Sequence, residues 1–290
     1  MPYVTVGREN SGDIRIYYED HGAGAPVVLV HGYLLDGHSW EKQEAALLAA
    51  GYRVITYDRR GFGASSRPGA GYDYATLAAD LSALLEQLDL RDAVLAGFCA
   101  GTGEVTRYLA ARGAGQGAGQ GAGHVAGRAR GAALLAPLPP FLPRAAGNPD
   151  GIDPGILDEF RNQIIADRPA ATTAYLDRSY NIDVLGGTRV SDQAWQNSFH
   201  VAIGASAAAV RGGAAAWRED FRADLARITV PVLVVQGGQD RITPPEATGN
   251  RLPGLLSSLR HVVIPDGPHA IIWTHADDVN EALIDFIRAL

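Results

Sequence analysis

The sequence predicts an α/β fold: a mostly parallel sheet with helices on both faces and an α-helical insertion. Three observations carry this reading. Short stretches that are apolar throughout, such as 27–30 and 53–57, need cover on both faces of a sheet. Segments with helical spacing separate them, as in strand–helix–strand units. The alternation then stops after Ala136 and resumes at 229–235, leaving a long stretch of helical segments alone.

Residues 13–18 (DIRIYY) alternate like a strand. Residues 27–30 (VVLV) form a buried strand ending at His31-Gly32, and 53–57 form another ending at Asp58. Between them, 39–50 has helical spacing. Residues 74–89 read as a second helix, with Leu77, Leu81, Leu84, Leu85 and Leu88 along one face. A strand at 93–96 leads into a helix starting near Ala100, and a strand at 132–136 follows. Segments 154–166, 169–180 and 193–217 are helical. A strand at 229–235, a helix near 245–258, a strand at 260–264 and a helix at 277–289 complete the chain. The expected division is a core of 1–136 and 226–290, with a helical cap, 137–225, inserted into it. The tract 113–123, GAGQGAGQGAG, has almost nothing to bury and reads as a flexible loop between a helix and a strand.

Composition narrows the partners. With 290 residues, 47% hydrophobic and 20% charged, the chain is neither disordered nor collagen-like. A net charge of -7 without any basic block argues against nucleic acid. The single cysteine, Cys99, cannot form an intramolecular disulfide. Met1-Pro2-Tyr3-Val4 lacks the features of a signal peptide, and the apolar runs are too short to cross a bilayer. A cytosolic protein with no membrane partner is expected, and a homo-oligomer is left open. The glycine-rich tract lacks the phosphate-loop lysine and does not follow a strand, so no nucleotide is implied, nor any metal or other cofactor.

The chemistry centres on Gly97-Phe98-Cys99-Ala100-Gly101, between the strand 93–96 and a helix. This is the nucleophile-elbow pattern G-x-S-x-G with cysteine in the serine position. A sharp strand-to-helix turn presents its central side chain at a helix N-terminus, whose dipole stabilises a thiolate. Asp240 follows the strand 229–235 and His269 follows the strand 260–264, so nucleophile, acid and base occur in that chain order. Side chains at the carboxyl ends of parallel strands converge. The backbone N–H groups of Tyr33, just after the strand 27–30, and of Ala100 supply two oxyanion donors. Asp266 competes with Asp240 for the acid role, and strand-end placement favours Asp240. His31 reads as a support of its turn, and Asp58 with Arg59 as a fold-stabilising pair. Leu34, Phe98, Phe141, Ile271, Ile272 and Trp273 are candidates for an apolar acyl pocket, each equally at home in a core.

On these residues the chain resembles the α/β-hydrolase superfamily, and within it the cofactor-free haloperoxidase, perhydrolase and esterase family. HGYLLDGHSWEKQ (31–43), TYDRRGFGASSRPGAGYDY (56–74), GFCAGTGEVTRYLA (97–110), PPFL (139–142), NPDGI (148–152) and the DRITP and GPHA segments carry the resemblance. It implies an eight-stranded, mostly parallel sheet, with Cys99 as nucleophile, Asp240 as acid, His269 as base, and Tyr33 and Ala100 as oxyanion donors. This chain departs from the family in two places: Cys99 stands where the family has serine, and Leu34 where many perhydrolase-like members have proline.

The thiol shapes the functional expectation. A Cys–His–Asp system acylates its sulfur, and activated esters, thioesters and lactones suit a thiolate that expels alkoxide poorly. Hydrolysis of a small-molecule acyl substrate is the first reading, and acyl transfer or cyclisation in specialised metabolism the second. Haloperoxidase or perhydrolase activity comes behind both, because peroxide oxidises thiols. A non-catalytic binding protein on a retained hydrolase scaffold is the alternative from another class.

Overall fold

The computed structural model describes residues 2–113 and 127–290; the glycine-rich tract lies outside these from residue 114 onward. The chain runs β1 (Tyr3–Glu9), β2 (Gly12–His21), β3 (Pro26–Val30), α1 (Glu41–Ala49), β4 (Arg53–Tyr57), α2 (Tyr74–Gln87), β5 (Ala93–Phe98), α3 (Ala100–Gly113) and β6 (Ala129–Leu135). Six helices follow: α4 (Pro154–Ala166), α5 (Arg168–Tyr180), α6 (Ile182–Leu185), α7 (Asp192–Gly204), α8 (Ala207–Ala216) and α9 (Arg222–Leu225). Then come β7 (Val232–Gly237), β8 (Leu259–Ile264), α10 (Ile271–Thr274) and α11 (Ala276–Ala289).

The strands form an eight-stranded sheet in the order β1-β2-β4-β3-β5-β6-β7-β8. The β1–β2 and β2–β4 pairs are antiparallel, and every pair from β4 through β8 is parallel. Side-chain alternation sorts the central strands between two cores. Val27, Leu29, Val94 and Ala96 face one side with Leu47 of α1 and Val279 and Leu283 of α11. Val28, Val30, Ala93 and Leu95 face the other with Leu81, Leu84 and Leu85 of α2 and Val105 of α3. Fully apolar strands are thus explained by cover on both faces.

Several elements differ from the sequence expectation. The strand expected at 13–18 is longer, and its partner β1 was not foreseen; as an edge strand with six of seven residues not buried, β1 carries little apolar signal. The helix expected over 193–217 breaks at Ala205-Ser206. Ser206 caps α8 by accepting from the N–H of Ala209, and its own N–H donates to the carbonyl of Gly61. No α-helix fills 245–258; a 3-10 helix at Gly249–Gly254 stands there, with Pro253 inside it removing a donor. The strand expected from 229 begins only at Val232, after Pro231.

Among the described residues, no helix is long and apolar enough to cross a membrane. Asp58 and Arg59 do not pair with each other. Arg59 is buried against Glu104, with Nε 2.7 Å from the carboxylate, while Asp58 accepts the N–H groups of Gly37 and Ala64. His31 does support its turn: its Nε2 accepts the N–H of Arg59 at 2.9 Å, and its Nδ1 meets the carbonyl of Gly32.

Candidate active site

Parallel strands bring the ends of β3, β5, β7 and β8 to one edge of the sheet. Cys99 sits between β5 and α3 with φ 50°, a left-handed conformation that a non-glycine residue adopts only under constraint. The glycines around it make the turn possible. A Cβ on Gly97 would lie 2.7 Å from the main-chain carbon of Gly101. One on Gly101 would collide with the carbonyl oxygen of Val30 and lie 2.8 Å from that of His31. The turn is pinned by the Cys99 N–H donating to Leu135 O at 3.0 Å.

His269 and Asp240 meet at 2.8 Å through Nδ1 and Oδ2, and both are buried. Asp240 is held by a set of donors: the N–H groups of Ile242 and Thr243 at 2.8 Å each, Thr243 Oγ1 at 2.9 Å and Gln236 Nε2 at 3.2 Å. Asp266 is placed elsewhere, pairing with His275 at 3.3 Å and Arg189 at 3.8 Å. His269 Nε2 has no hydrogen bond of good geometry, yet the ring and the Cys99 sulfur act on each other electrostatically. Burial draws the imidazole down, but Asp240 and then the sulfur overcome this and push it up to about 10. Burial alone would push the Cys99 thiol up; the neighbouring imidazolium, with the Tyr33 N–H and the Tyr175 hydroxyl, holds it below its usual range. The two shifts are opposite in sense, each group favouring the charged form of the other.

The Tyr33 N–H favours the charged sulfur, and Ala100 opens α3, whose first N–H groups have no intrahelical partners. The next residue, Leu34, has φ 66° and is buried. Proline is fixed near φ −65°, so the departure from the family at this position has a backbone counterpart.

The apolar pocket candidates separate. Phe98 packs against the His269 ring at 5.2 Å and lines a narrow cleft of about 40 Å³ with Ile272, Trp273, Leu35, Tyr180 and Ala270. Ile271 is fully buried in α10. Phe141 is not brought to that cleft; the Arg222 guanidinium covers its ring at 5.2 Å. Two residues that sequence reasoning missed complete the neighbourhood. The Tyr175 hydroxyl, from α5, lies 3.7 Å from Cys99 Sγ. Gln236, at the end of β7, holds Asp240. A signal for the first exists: Tyr175 shares the buried stripe of α5 with Ala171, Thr172, Leu176 and Ser179, and a buried tyrosine hydroxyl needs a partner. Among the described residues, no group of three or more His, Cys, Asp or Glu is arranged to hold a metal ion.

Comparison with known proteins agrees with the fold. Residues 25–276 match the family described as the alpha/beta hydrolase fold. A putative non-heme chloroperoxidase of Synechocystis sp. is 52% identical over 99% of this chain and 100% of its own. A bifunctional esterase/perhydrolase of Acinetobacter calcoaceticus is 30% identical, covering 100% of both chains. The crystal structure of a bromoperoxidase from Bacillus anthracis superimposes with a TM-score of 0.90 at 36% identity, over 99% of each chain. Matched along its whole length in sequence and in backbone, this chain belongs to the α/β-hydrolase fold family, where its homologues include non-heme haloperoxidases.

Proposed function

We propose that the chain is an acyl-transfer enzyme that carries the acyl group on Cys99, with His269 as base and Asp240 orienting it. The observation that supports this most directly is the buried line of carboxylate, imidazole and sulfur at the carboxyl edge of the sheet. The thiolate attacks the carbonyl of an activated ester, and the N–H groups of Tyr33 and Ala100 hold the oxyanion. As the tetrahedral intermediate collapses, the imidazolium gives its proton to the leaving group. This leaves an acyl-thioenzyme and a neutral His269. A second acceptor, deprotonated by His269, then attacks the thioester and frees the sulfur. We read the helices α4–α9 as a cap. With Cys99 and His269 buried, a bulky acyl donor enters only when these helices shift.

The acceptor decides the activity. Water gives the acid; hydrogen peroxide gives a peracid, which can then oxidise halide. The relatives' names, haloperoxidase and esterase/perhydrolase, favour peroxide over the plain hydrolysis that ranks first on the thiol's chemistry. We therefore place perhydrolysis with ensuing halide oxidation ahead of simple hydrolysis, and keep hydrolysis as the reading favoured by Cys99 itself. A free thiol as acyl carrier suits a reducing, cytosolic compartment.

The test uses one aryl ester with and without hydrogen peroxide and bromide. Intact mass reports acylation of Cys99, and a brominated reporter reports the peracid. Acylation that is lost in Cys99→Ala supports the acyl-thioenzyme. Bromination dependent on both ester and peroxide supports the peroxide branch, and acid as the sole product favours hydrolysis. Unchanged ester turnover in Cys99→Ala removes the proposal.

A further inference from the structure

The acyl-transfer scheme leaves one polar atom beside the sulfur unused. Tyr175 projects from α5, and its hydroxyl lies 3.7 Å from Cys99 Sγ, both groups buried. The ring has little freedom. Its centroid is 5.5 Å from Tyr33, 5.9 Å from Phe160 and 5.9 Å from Trp217. Below the ring, the main-chain carbonyl accepts from Ser179 Oγ at 2.8 Å. An aromatic clamp thus aims the hydroxyl at the sulfur.

We propose that Tyr175 is a positioning residue that donates its hydroxyl hydrogen to the ionised Cys99 sulfur, making the reactivity of that sulfur depend on how α5 is seated. The proposal rests on the reading of Cys99 as the acyl carrier. Groups from four elements act electrostatically on the sulfur: the backbone N–H and phenol of Tyr33 after β3, the phenol of Tyr74 on α2, His269 after β8, and Tyr175 on α5. Asp240 stands behind His269. His269 and the Tyr33 N–H are fixed to the sheet edge, whereas Tyr175 belongs to the inserted helices. A shift of those helices that admits substrate therefore removes the tyrosine donor and leaves the other two. A thiolate that has lost a donor is more basic and less encumbered, so opening the site also readies the sulfur for attack. Once acylated, the sulfur carries no charge and accepts hydrogen bonds poorly, so the hydroxyl is released from it.

Because Cys99 is the single cysteine, thiolate ultraviolet absorbance, taken as a difference from Cys99→Ala, titrates this sulfur alone. Tyr175→Phe keeps the ring in its clamp and deletes the donor. The ionisation midpoint should rise by about one pH unit, the scale of one hydrogen bond to a charged group. His269→Ala should raise it further, since the imidazolium is the stronger influence. An unchanged midpoint in a folded Tyr175→Phe overturns the proposal while leaving the acyl-thioenzyme reading intact. A raised midpoint in a protein whose Cys99 never takes up an acyl group supports the hydrogen bond and removes the functional reading instead. If the phenylalanine variant fails to fold, Tyr175→Met, unbranched and adaptable, is titrated with the same two outcomes.

Discussion

The hydroxyl of Tyr33 donates to the main-chain carbonyl of Val210 at 2.8 Å, fastening the turn after β3 to α8. The residue thereby serves twice, with its backbone N–H favouring the charged sulfur and its side chain tied to the helices between β6 and β7. Tyr33→Phe removes the second contact and keeps the first. The expected loss is about 1 kcal/mol of stability, seen as a fall of a few degrees in Tm. Acyl loading should fall less than about tenfold, because the proposed oxyanion donor is retained. Thermal unfolding and pre-steady-state acylation check the two halves separately.

Asp240→Asn leaves the shape of the site and takes away the charge. The asparagine must place an NH₂ group among four donors that now point at the carboxylate, so part of that set goes unpaired. His269 loses the main influence raising it. Turnover should drop by about a thousandfold or more, with folding retained. Circular dichroism together with single-turnover acylation tests this; near-normal rates would show that the carboxylate is not needed.

The pH dependence follows from the proposed thiolate–imidazolium pair. Acyl loading should rise as pH climbs through the lowered thiol value, and fall as His269 loses its proton near about 10. His269 also contributes to stability. Its folded value lies above the ordinary 6.5, so its contribution is complete below pH 6.5 and is lost as pH rises through about 10. Urea midpoints and acylation rates measured across the alkaline range should decline together. A rate that keeps increasing through that range with an unperturbed thiol profile would contradict the ion pair.

Gly101→Ala should abolish the elbow. Its Cβ meets backbone of β3 and the residue after it, and backbone cannot yield as a flexible side chain does. A loss of about 3 kcal/mol or more is expected, read as a large drop in the denaturant midpoint or as insoluble protein. Gly51→Ala is a fair control: its φ of 87° carries backbone strain, but nothing lies within 4 Å of the added Cβ.

Much of this was legible in the sequence because the decisive elements are short and unambiguous. Apolar runs such as 27–30 and 93–96 announce buried parallel strands, and the residues following them fall at the strand ends. What escaped was set by tertiary context. β1 is an edge strand with an exposed face, so its periodicity is weak. Ser206 ends one helix and begins another because Gly61, far away in sequence, supplies an acceptor. Phe141 looked like pocket lining and instead lies beneath Arg222. Tyr175 carried a legible hint, a hydroxyl on a buried helix stripe, but nothing along the chain says which atom it meets.

The position of α4–α9 has one more consequence. They depart from β6 and return to β7, which lie side by side in the sheet; the Ala136 N–H donates to Val235 O at 2.8 Å. An excursion whose two feet stand together imposes little on the scaffold beneath it, since doubling a closed loop costs only about 0.6 kcal/mol. Evolution can therefore rewrite this helical excursion wholesale, lengthening, trimming or exchanging it, without disturbing the sheet beneath it.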